Sequence, residues 1–559
     1  MKDSVSVLIG GSAGQGIASI ETLLTKGFKR AGFYTFSTKE FMSRIRGGSN
    51  TTLIRISKRP VNAPVFGVDI FVPLDTDSYY HAKARIGQET FLIAKKGDFE
   101  CDCTLYDHDL PALAKSIGSP IVSNTIAAAL VFGLLGCDVG ILKEIVTELY
   151  QDEILEMNLK ALDIGAALAE NNGQCRYCIE PNLSDSAAND LFLSGTEGVG
   201  FGSIAGGCNF ISSYPMSPST GVLTFLAKQS KNFGICVEQA EDEIAAFQMG
   251  LGVWYSGGRA ITTTSGGGFA LMGEGVSLSG ITETPMVVYL AQRPGPATGL
   301  PTRSEQGDLE LSIYSGHGEF PRIVLAPGDP RECFDLARRA FELADMYQVP
   351  VIILSDQYLA DSYFHTEQFT INPEQPAQHI IKTDADYKRY SLSDNGISPR
   401  GVPGYGEGLV LVDSDEHTQE GLITESMSVR NEQNGKRLKK IELISEEAIV
   451  PEAEGEGEII VLGWGSTKHI IQEAVERVGD ERVSVIHFSW VHPLSESQLA
   501  PLREGKQIVV VENNATGQFA KLLRIHGIAI HAQILKSDGL PFFADELSEQ
   551  LASALKEIR

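Results

Sequence analysis

Between residues 208 and 308, four short apolar runs each end in polar side chains of the kinds that move protons or bind carboxylates. The first ends in Tyr214-Pro215-Met216-Ser217-Pro218-Ser219-Thr220 and the second in Glu238, Glu241, Asp242 and Glu243. The third ends in Ser265 and three glycines, the fourth in Gln292-Arg293-Pro294. Glu243 is followed by Ile244, Ala245, Ala246 and Phe247. A carboxyl group that enters an apolar wall loses hydration, which suits it to share a proton with a ring nitrogen. The same cluster also reads as first-turn acids that favour a helix N-terminus. Arg293 follows the apolar stretch 286–291 and offers a guanidinium for bidentate carboxylate binding. Ser217, between Pro215 and Pro218, either offers its hydroxyl to the same ligand or turns the chain.

Strand after strand here gives way to polar or Gly/Pro residues and then to helix, which places the clusters at the carboxyl ends of a parallel sheet. A chain of 559 residues is too long for a single core and implies about three or four domains. Residues 1–180 read as one α/β domain and 190–360 as a second, joined by a polar linker at 171–190. Residues 361–455, rich in His, Gln, Pro and charge, read as an extended, partly irregular arm, and its basic run 436–440 as solvated surface. Residues 456–559 read as a third α/β unit. The fold class is thus α/β, with three α/β domains.

The first domain opens with a strand, the turn Gly10-Gly11-Ser12-Ala13-Gly14-Gln15-Gly16 and a helix. Such a turn exposes backbone N–H groups and suits an anion, or it packs strand closely on helix. Its spacing is not that of a dinucleotide site, and no acid closes a second strand about 20 residues on. Lys39, Arg44 and Arg46 stand in a loop beside two glycines, where they could close over an anion or lie in solvent. Segments 67–75, 91–94 and 120–123 read as further strands.

A net charge of −26 argues against a nucleic-acid surface, which needs clustered Lys and Arg. No apolar stretch reaches the roughly 18 residues of a membrane span, and the N-terminus lacks a signal-peptide core, so a cytoplasmic protein is expected. Eight cysteines, mostly isolated, fit a reducing compartment without structural disulfides. Neither Cys175-x2-Cys178 nor Cys101-x-Cys103 has a partner pair at metal or cluster spacing.

Taken together, these motifs resemble the alpha subunit of 2-oxoacid:ferredoxin oxidoreductases with the small gamma domain fused at the N-terminus. Tyr-Pro-Met-Ser-Pro-Ser-Thr is similar to that family's Tyr-Pro-Ile-Thr-Pro signature. Glu-x2-Glu-Asp-Glu, the Ser-x-Gly-Gly turn, Gln-Arg-x-Gly-Pro-x-Thr-Gly-Leu-Pro-Thr and Val-Glu-Asn-Asn-x-Thr-Gly-Gln-Phe follow in the family's order. The N-terminal Gly-Gln-Gly and Ile-Arg-Gly-Gly look like its gamma domain, and the likeness extends over essentially the whole chain.

The resemblance implies a transketolase-type, pyrimidine-binding thiamine diphosphate domain in the middle and a transketolase C-terminal-like domain at the end. It implies oxidative decarboxylation of a 2-oxoacid, one-electron transfer to ferredoxin and acyl transfer to coenzyme A, with the cofactor as electron sink. Glu243 stands where the family's glutamate hydrogen-bonds the aminopyrimidine ring, beside Tyr214 and Pro215. Arg293 stands where the substrate's 1-carboxylate is gripped. Ser217 replaces the usual threonine, and Arg46 is placed to meet a distal carboxylate.

Thiamine diphosphate enzymes anchor the diphosphate and its magnesium through Gly-Asp-Gly and a later Asn. None of the Gly-Asp pairs at Gly97, Gly307, Gly328 and Gly479 is followed by Gly. Half the cofactor site, the Mg2+ and a 4Fe-4S cluster are therefore expected on a beta subunit, in a dimer of alpha-beta heterodimers. 2-Oxoglutarate is the favoured substrate. Pyruvate, branched-chain or aryl 2-oxoacids are the alternatives, and a non-catalytic scaffold subunit is the reading from a different class.

Overall fold

The structure, a computed structural model, describes residues 3–42, 48–171, 187, 189–369, 376–503 and 505–558. Arg44 and Arg46, the linker cysteines Cys175 and Cys178, and most of the segment 171–190 lie outside the described residues. Three sheets with covering helices make up the fold, in agreement with the α/β class read from the sequence. They fall into two compact units. One is Met1–Leu193 with Asp361–Gln368 and Phe542–Glu549; the other is Ser194–Ala360 with Phe369–Pro541 and Gln550–Arg559.

In the first unit, strand Ser4–Gly11 pairs antiparallel with Asn50–Ser57 and parallel with Val68–Pro73. Val5, Val7 and Ile9 pack with Leu24 and Phe28 of helix Ile17–Arg30. Alternation along the strand puts those residues on one face. Strand Tyr363–Thr366, from the start of the supposed arm, pairs antiparallel with Tyr34–Glu40 and extends this sheet. The strand expected at 120–123 is absent; Pro120–Val122 is a 3-10 turn that opens the buried helix Ser123–Leu134. Proline brings no N–H to a ladder, and its fixed φ suits a first helical turn. Cys101 and Cys103 are joined by a disulfide, contrary to the expectation of a chain without one, and their Cα atoms lie 5.3 Å apart, within bridging range.

The second unit holds a seven-stranded sheet in the order Trp490–His492, Ile323–Leu325, Pro350–Asp356, Met286–Gln292, Ala260–Thr264, Phe210–Ser213, Cys236–Gln239. Every pairing in it is parallel except that of Trp490–His492. Met286–Gln292 and Pro350–Asp356 are buried along their whole length, as strands covered on both faces must be, and read as apolar runs that turn polar only at their carboxyl ends. A five-stranded sheet built on Ile459–Trp464 and Gln507–Glu512 completes the unit.

The basic run is not solvated surface. It lies on helix Met427–Glu446, where Lys436, Arg437 and Lys440 are all buried. Their partners are carboxylates that burial would otherwise make costly. Glu283, 1% exposed and in the left-handed region (φ 49°) at the end of helix Gly273–Thr282, receives Lys436 Nζ at 2.7 Å and Lys440 Nζ at 2.5 Å. Arg437 pairs with Glu416 at 2.7 Å. Asp345 is buried between Arg259, at 2.6 Å, and Arg400. Through Glu283 and Asp345, buried ion pairs tie Arg400, Lys436 and Lys440 to the ends of helices Gly273–Thr282 and Pro330–Tyr347, which pack on the middle sheet.

Candidate functional site

From Phe210–Ser213 the chain runs out to the edge strand Cys236–Gln239. It then returns to Ala260–Thr264 on the other side of Phe210–Ser213. The winding direction reverses there, and a crevice outside the carboxyl ends of these strands is where open α/β sheets bind ligands. The loop that begins at Tyr214, the turn after Thr264 and the helix that begins at Glu243 all start beside that switch.

Glu243 is the first residue of helix Glu243–Tyr255. Its neighbour Asp242 is the N-cap and accepts from the Ala245 N–H at 2.7 Å, a bond worth about 1 kcal/mol. Glu238 and Glu241 are exposed. Helix capping therefore accounts for Asp242 but not for Glu243, which is 4% exposed. The Glu243 Oε1 atom is buried and has no hydrogen-bond partner among the described residues. A carboxylate oxygen left so costs of the order of 1–3 kcal/mol unless a ligand meets it.

Gly268 makes the position possible. A Cβ there would fall 2.6 Å from Glu243 Cγ, 2.8 Å from its Oε1 and 2.2 Å from Thr264 Oγ1. At the other end of the glycine turn, a Cβ on Gly266 would fall 2.4 Å from Asp308 Oδ2. Asp308 is a residue the sequence reading passed over. Its Oδ2 is likewise buried without a hydrogen-bond partner among the described residues. Burial first, and then Glu305, push the Asp308 carboxyl up to about 6, against the pull of Arg293. The sequence did carry a signal, because three successive glycines beside a strand end imply that something bulky approaches on both sides.

Arg293, half-buried, follows strand Met286–Gln292 and donates from Nη1 to the Ser217 carbonyl oxygen at 2.7 Å. Arg293 and Ser217 are thus brought together. The contact uses the Ser217 backbone, while its side chain is exposed, as are Tyr214 and Pro215. Arg46 lies outside the described residues.

The loop that carries Asp308 is held by the C-terminal sheet. The Gln306 N–H donates to the Asn513 carbonyl at 2.7 Å, and the Asn513 N–H donates to Gln306 Oε1 at 2.9 Å. Glu512, fully buried, accepts the Phe519 and Ala520 N–H groups at 2.8 and 3.0 Å and an Asn514 N–H at 2.9 Å. These bonds give the Val-Glu-Asn-Asn-x-Thr-Gly-Gln-Phe motif a structural reason: it caps helix Gln518–Ile525 and locks the pocket loop.

In the first unit the Gly-rich turn lines a cavity of about 590 Å³ with Lys95 and His108. The Ser12 N–H is already engaged by Gln15 Oε1 at 2.7 Å and Asp75 Oδ2 at 2.8 Å. A Cβ on Gly16 (φ 82°) would fall 2.2 Å from Asn124 Nδ2, so close packing explains that glycine. Among the described residues no helix is long and apolar enough to cross a membrane.

Residues 201–436 match the family described as pyruvate flavodoxin/ferredoxin oxidoreductase, thiamine diphosphate-binding. Residues 6–168 match the pyruvate ferredoxin/flavodoxin oxidoreductase family. The 2-oxoacid:ferredoxin oxidoreductase subunit alpha of Sulfolobus sp is 30% identical, over 99% of this chain and 97% of its own length. The 2-oxoglutarate oxidoreductase subunit KorA of Mycobacterium tuberculosis is 31% identical over 72% of this chain and 63% of its own. Among solved structures, 2-oxoglutarate:ferredoxin oxidoreductase from Magnetococcus marinus, with 2-oxoglutarate, coenzyme A and succinyl-CoA bound, superposes with a TM-score of 0.90. It is 30% identical, over 99% of this chain and 100% of that one.

Proposed function

The chain belongs to the alpha subunits of the thiamine diphosphate-dependent 2-oxoacid:ferredoxin oxidoreductases, and from that premise we propose that it serves oxidative decarboxylation of 2-oxoglutarate to an acyl-CoA. The catalytic reading is carried by the unpartnered, buried Oε1 of Glu243 beside the switch in strand order. That atom and the side-chain-free floor at Gly268 fit the ring nitrogen and flat face of an aminopyrimidine. When bound, thiamine diphosphate supplies the carbon nucleophile and electron sink. Glu243 holds the shared proton at the ring nitrogen. Arg293 binds the 1-carboxylate of the oxoacid, and its bond to the Ser217 carbonyl holds the 214–220 loop against the substrate end. Ser217, Tyr214 and Pro215 line that end, and Arg46 meets the distal carboxylate.

The 2-oxoglutarate assignment is supported by the names of the Mycobacterium relative and the Magnetococcus structure. A beta subunit would bring the diphosphate anchor, Mg2+ and 4Fe-4S cluster, in a dimer of alpha-beta heterodimers that reduces ferredoxin in the cytoplasm. Exposed apolar Ile244 and Leu271, which line one groove, offer it a surface. Residues 1–180 would act as the gamma domain and 456–559 as the transketolase C-terminal-like domain.

The test is to purify the chain with its partner subunit and assay a panel of 2-oxoacids with a one-electron acceptor. 2-Oxoglutarate should be preferred; equal rates on pyruvate would overturn the substrate assignment. Arg293→Ala should raise KM about 10- to 100-fold, the equivalent of about 1.5–3 kcal/mol for a charged hydrogen-bonding partner, and an unchanged KM would remove the carboxylate-binding role. Gly268→Ala should displace the Glu243 carboxyl and lower turnover about a hundredfold, the scale of a 1 Å misplacement, in a complex that still assembles. Wild-type turnover would show that the carboxyl does not need that floor.

A further inference from the structure

Two carboxyl groups, not one, press on the glycine turn, and only Glu243 has a task in the reaction above. Asp308 begins the short helix Leu309–Tyr314 without capping it through its side chain, and its own N–H is taken by Gln292 Oε1 at 2.9 Å. A buried oxygen with neither a cap nor an ion pair is costly, so its position needs a reason.

The neighbouring charges supply one. Of the groups around Asp308, Arg293 from the adjoining strand end and Glu305 from its own loop are the two that act on its charge. Lys521, from helix Gln518–Ile525, is taken up by Glu310 at 3.2 Å. Glu243 stands behind the far end of the glycine turn, beyond Gly268. No hydrogen bond or ion pair links Asp308 to Arg293; the bond from the Asp308 N–H to Gln292 Oε1 sets Asp308 beside the strand end that Arg293 directly follows, and the two charges act on each other there.

We propose that Asp308 is a positioning residue that acts through Arg293: protonated, it leaves the guanidinium charge for the substrate carboxylate, and ionised, it competes with the substrate for that charge. The proposal rests on the reading of this site as a 2-oxoacid site. Charge balance follows directly. Seating an oxoacid carboxylate on Arg293 brings a second negative charge toward Asp308, so binding draws one proton from solvent onto Asp308 whenever it starts ionised. The direction agrees with the raised proton affinity of the free group. Neither the oxoacid carboxylates nor arginine titrate near neutrality, so a pH-dependent KM in that range points to the protein's acids.

The experiment measures KM and kcat for 2-oxoglutarate between about pH 6 and pH 8 on the complex with the partner subunit. In the wild type KM should rise with pH, by at most about tenfold per unit for one linked proton, while kcat changes less. Asp308→Asn, which mimics the protonated acid, should hold KM near its low-pH value across the range. Glu305→Gln removes the neighbour that raises the proton affinity of Asp308, and should start the rise at lower pH. A wild-type KM flat with pH, or an Asp308→Asn profile with the wild-type slope, would overturn the proposal while leaving the enzyme reading intact. A fall in kcat alone in Asp308→Asn would also overturn it. Absence of any 2-oxoacid turnover by the wild-type complex would take down both readings.

Discussion

Exchange of Glu243 for glutamine is expected to lower 2-oxoacid turnover by about 10²- to 10⁴-fold, the usual weight of a positioned proton-transfer group, while the complex still assembles. The amide fills the same space beneath Gly268 and keeps the helix start, which depends on Asp242. What it lacks is a group that can hold a proton at a ring nitrogen and release it. Size-exclusion profiles of variant and wild-type complexes should coincide, with the loss confined to turnover and cofactor retention. A glutamine variant turning over near the wild-type rate would refute the catalytic assignment and favour a scaffold role.

The second large effect is on stability. Replacing Glu283 by alanine strands Lys436 and Lys440 in the interior, and losing one partner of a buried ion cluster costs about 3–5 kcal/mol. Burial opposes ionisation of Glu283, but Lys440, Lys436 and Arg389 hold it well below the usual carboxylate range. A carboxylate with a depressed folded value contributes stability that is complete above its unfolded value, in the ordinary glutamate range. That contribution is lost as pH falls through the folded value. Thermal or denaturant unfolding of Glu283→Ala at neutral pH should therefore show an early transition, with segment 389–440 becoming protease-sensitive first. Replacing Lys436 and Lys440 by methionine in the same variant should restore part of the loss, because of the three cations only Arg389, which still donates to the carbonyl oxygen of residue 283, then lacks that countercharge. An unaltered melting profile in Glu283→Ala would show that the cluster is not what fastens the arm.

These two residues also mark what the sequence could and could not reveal. Glu243 was legible because it stands between a short apolar run and an apolar helix, and the α/β class followed from the same alternation. The helix Met427–Glu446 was not, since its buried side is charged and leaves no apolar stripe at helical spacing. Glu283 alone gives no hint that it neutralises residues more than a hundred positions later, a tertiary fact that no local pattern carries. Asp308 sits in an ordinary Gly-Asp pair, and only the close approach of Gly266 shows that its carboxyl is enclosed. At 120–123 the apolar character suggested a strand, and proline's missing N–H turned it into the start of a helix. The contact between Arg293 and Ser217 runs through a carbonyl oxygen, which every residue possesses, so side-chain identity was silent about it.

The reciprocal bonds between Gln306 and Asn513 mean that the loop carrying Asp308 borrows its shape from a sheet outside the segment that carries Glu243 and Arg293. A transplant of residues 194–360 into another scaffold would carry the acid and the guanidinium but leave that loop without its mould. Engineering of new acid specificities on this chain is therefore better begun by varying the 513–518 turn together with the loop than by editing the loop by itself.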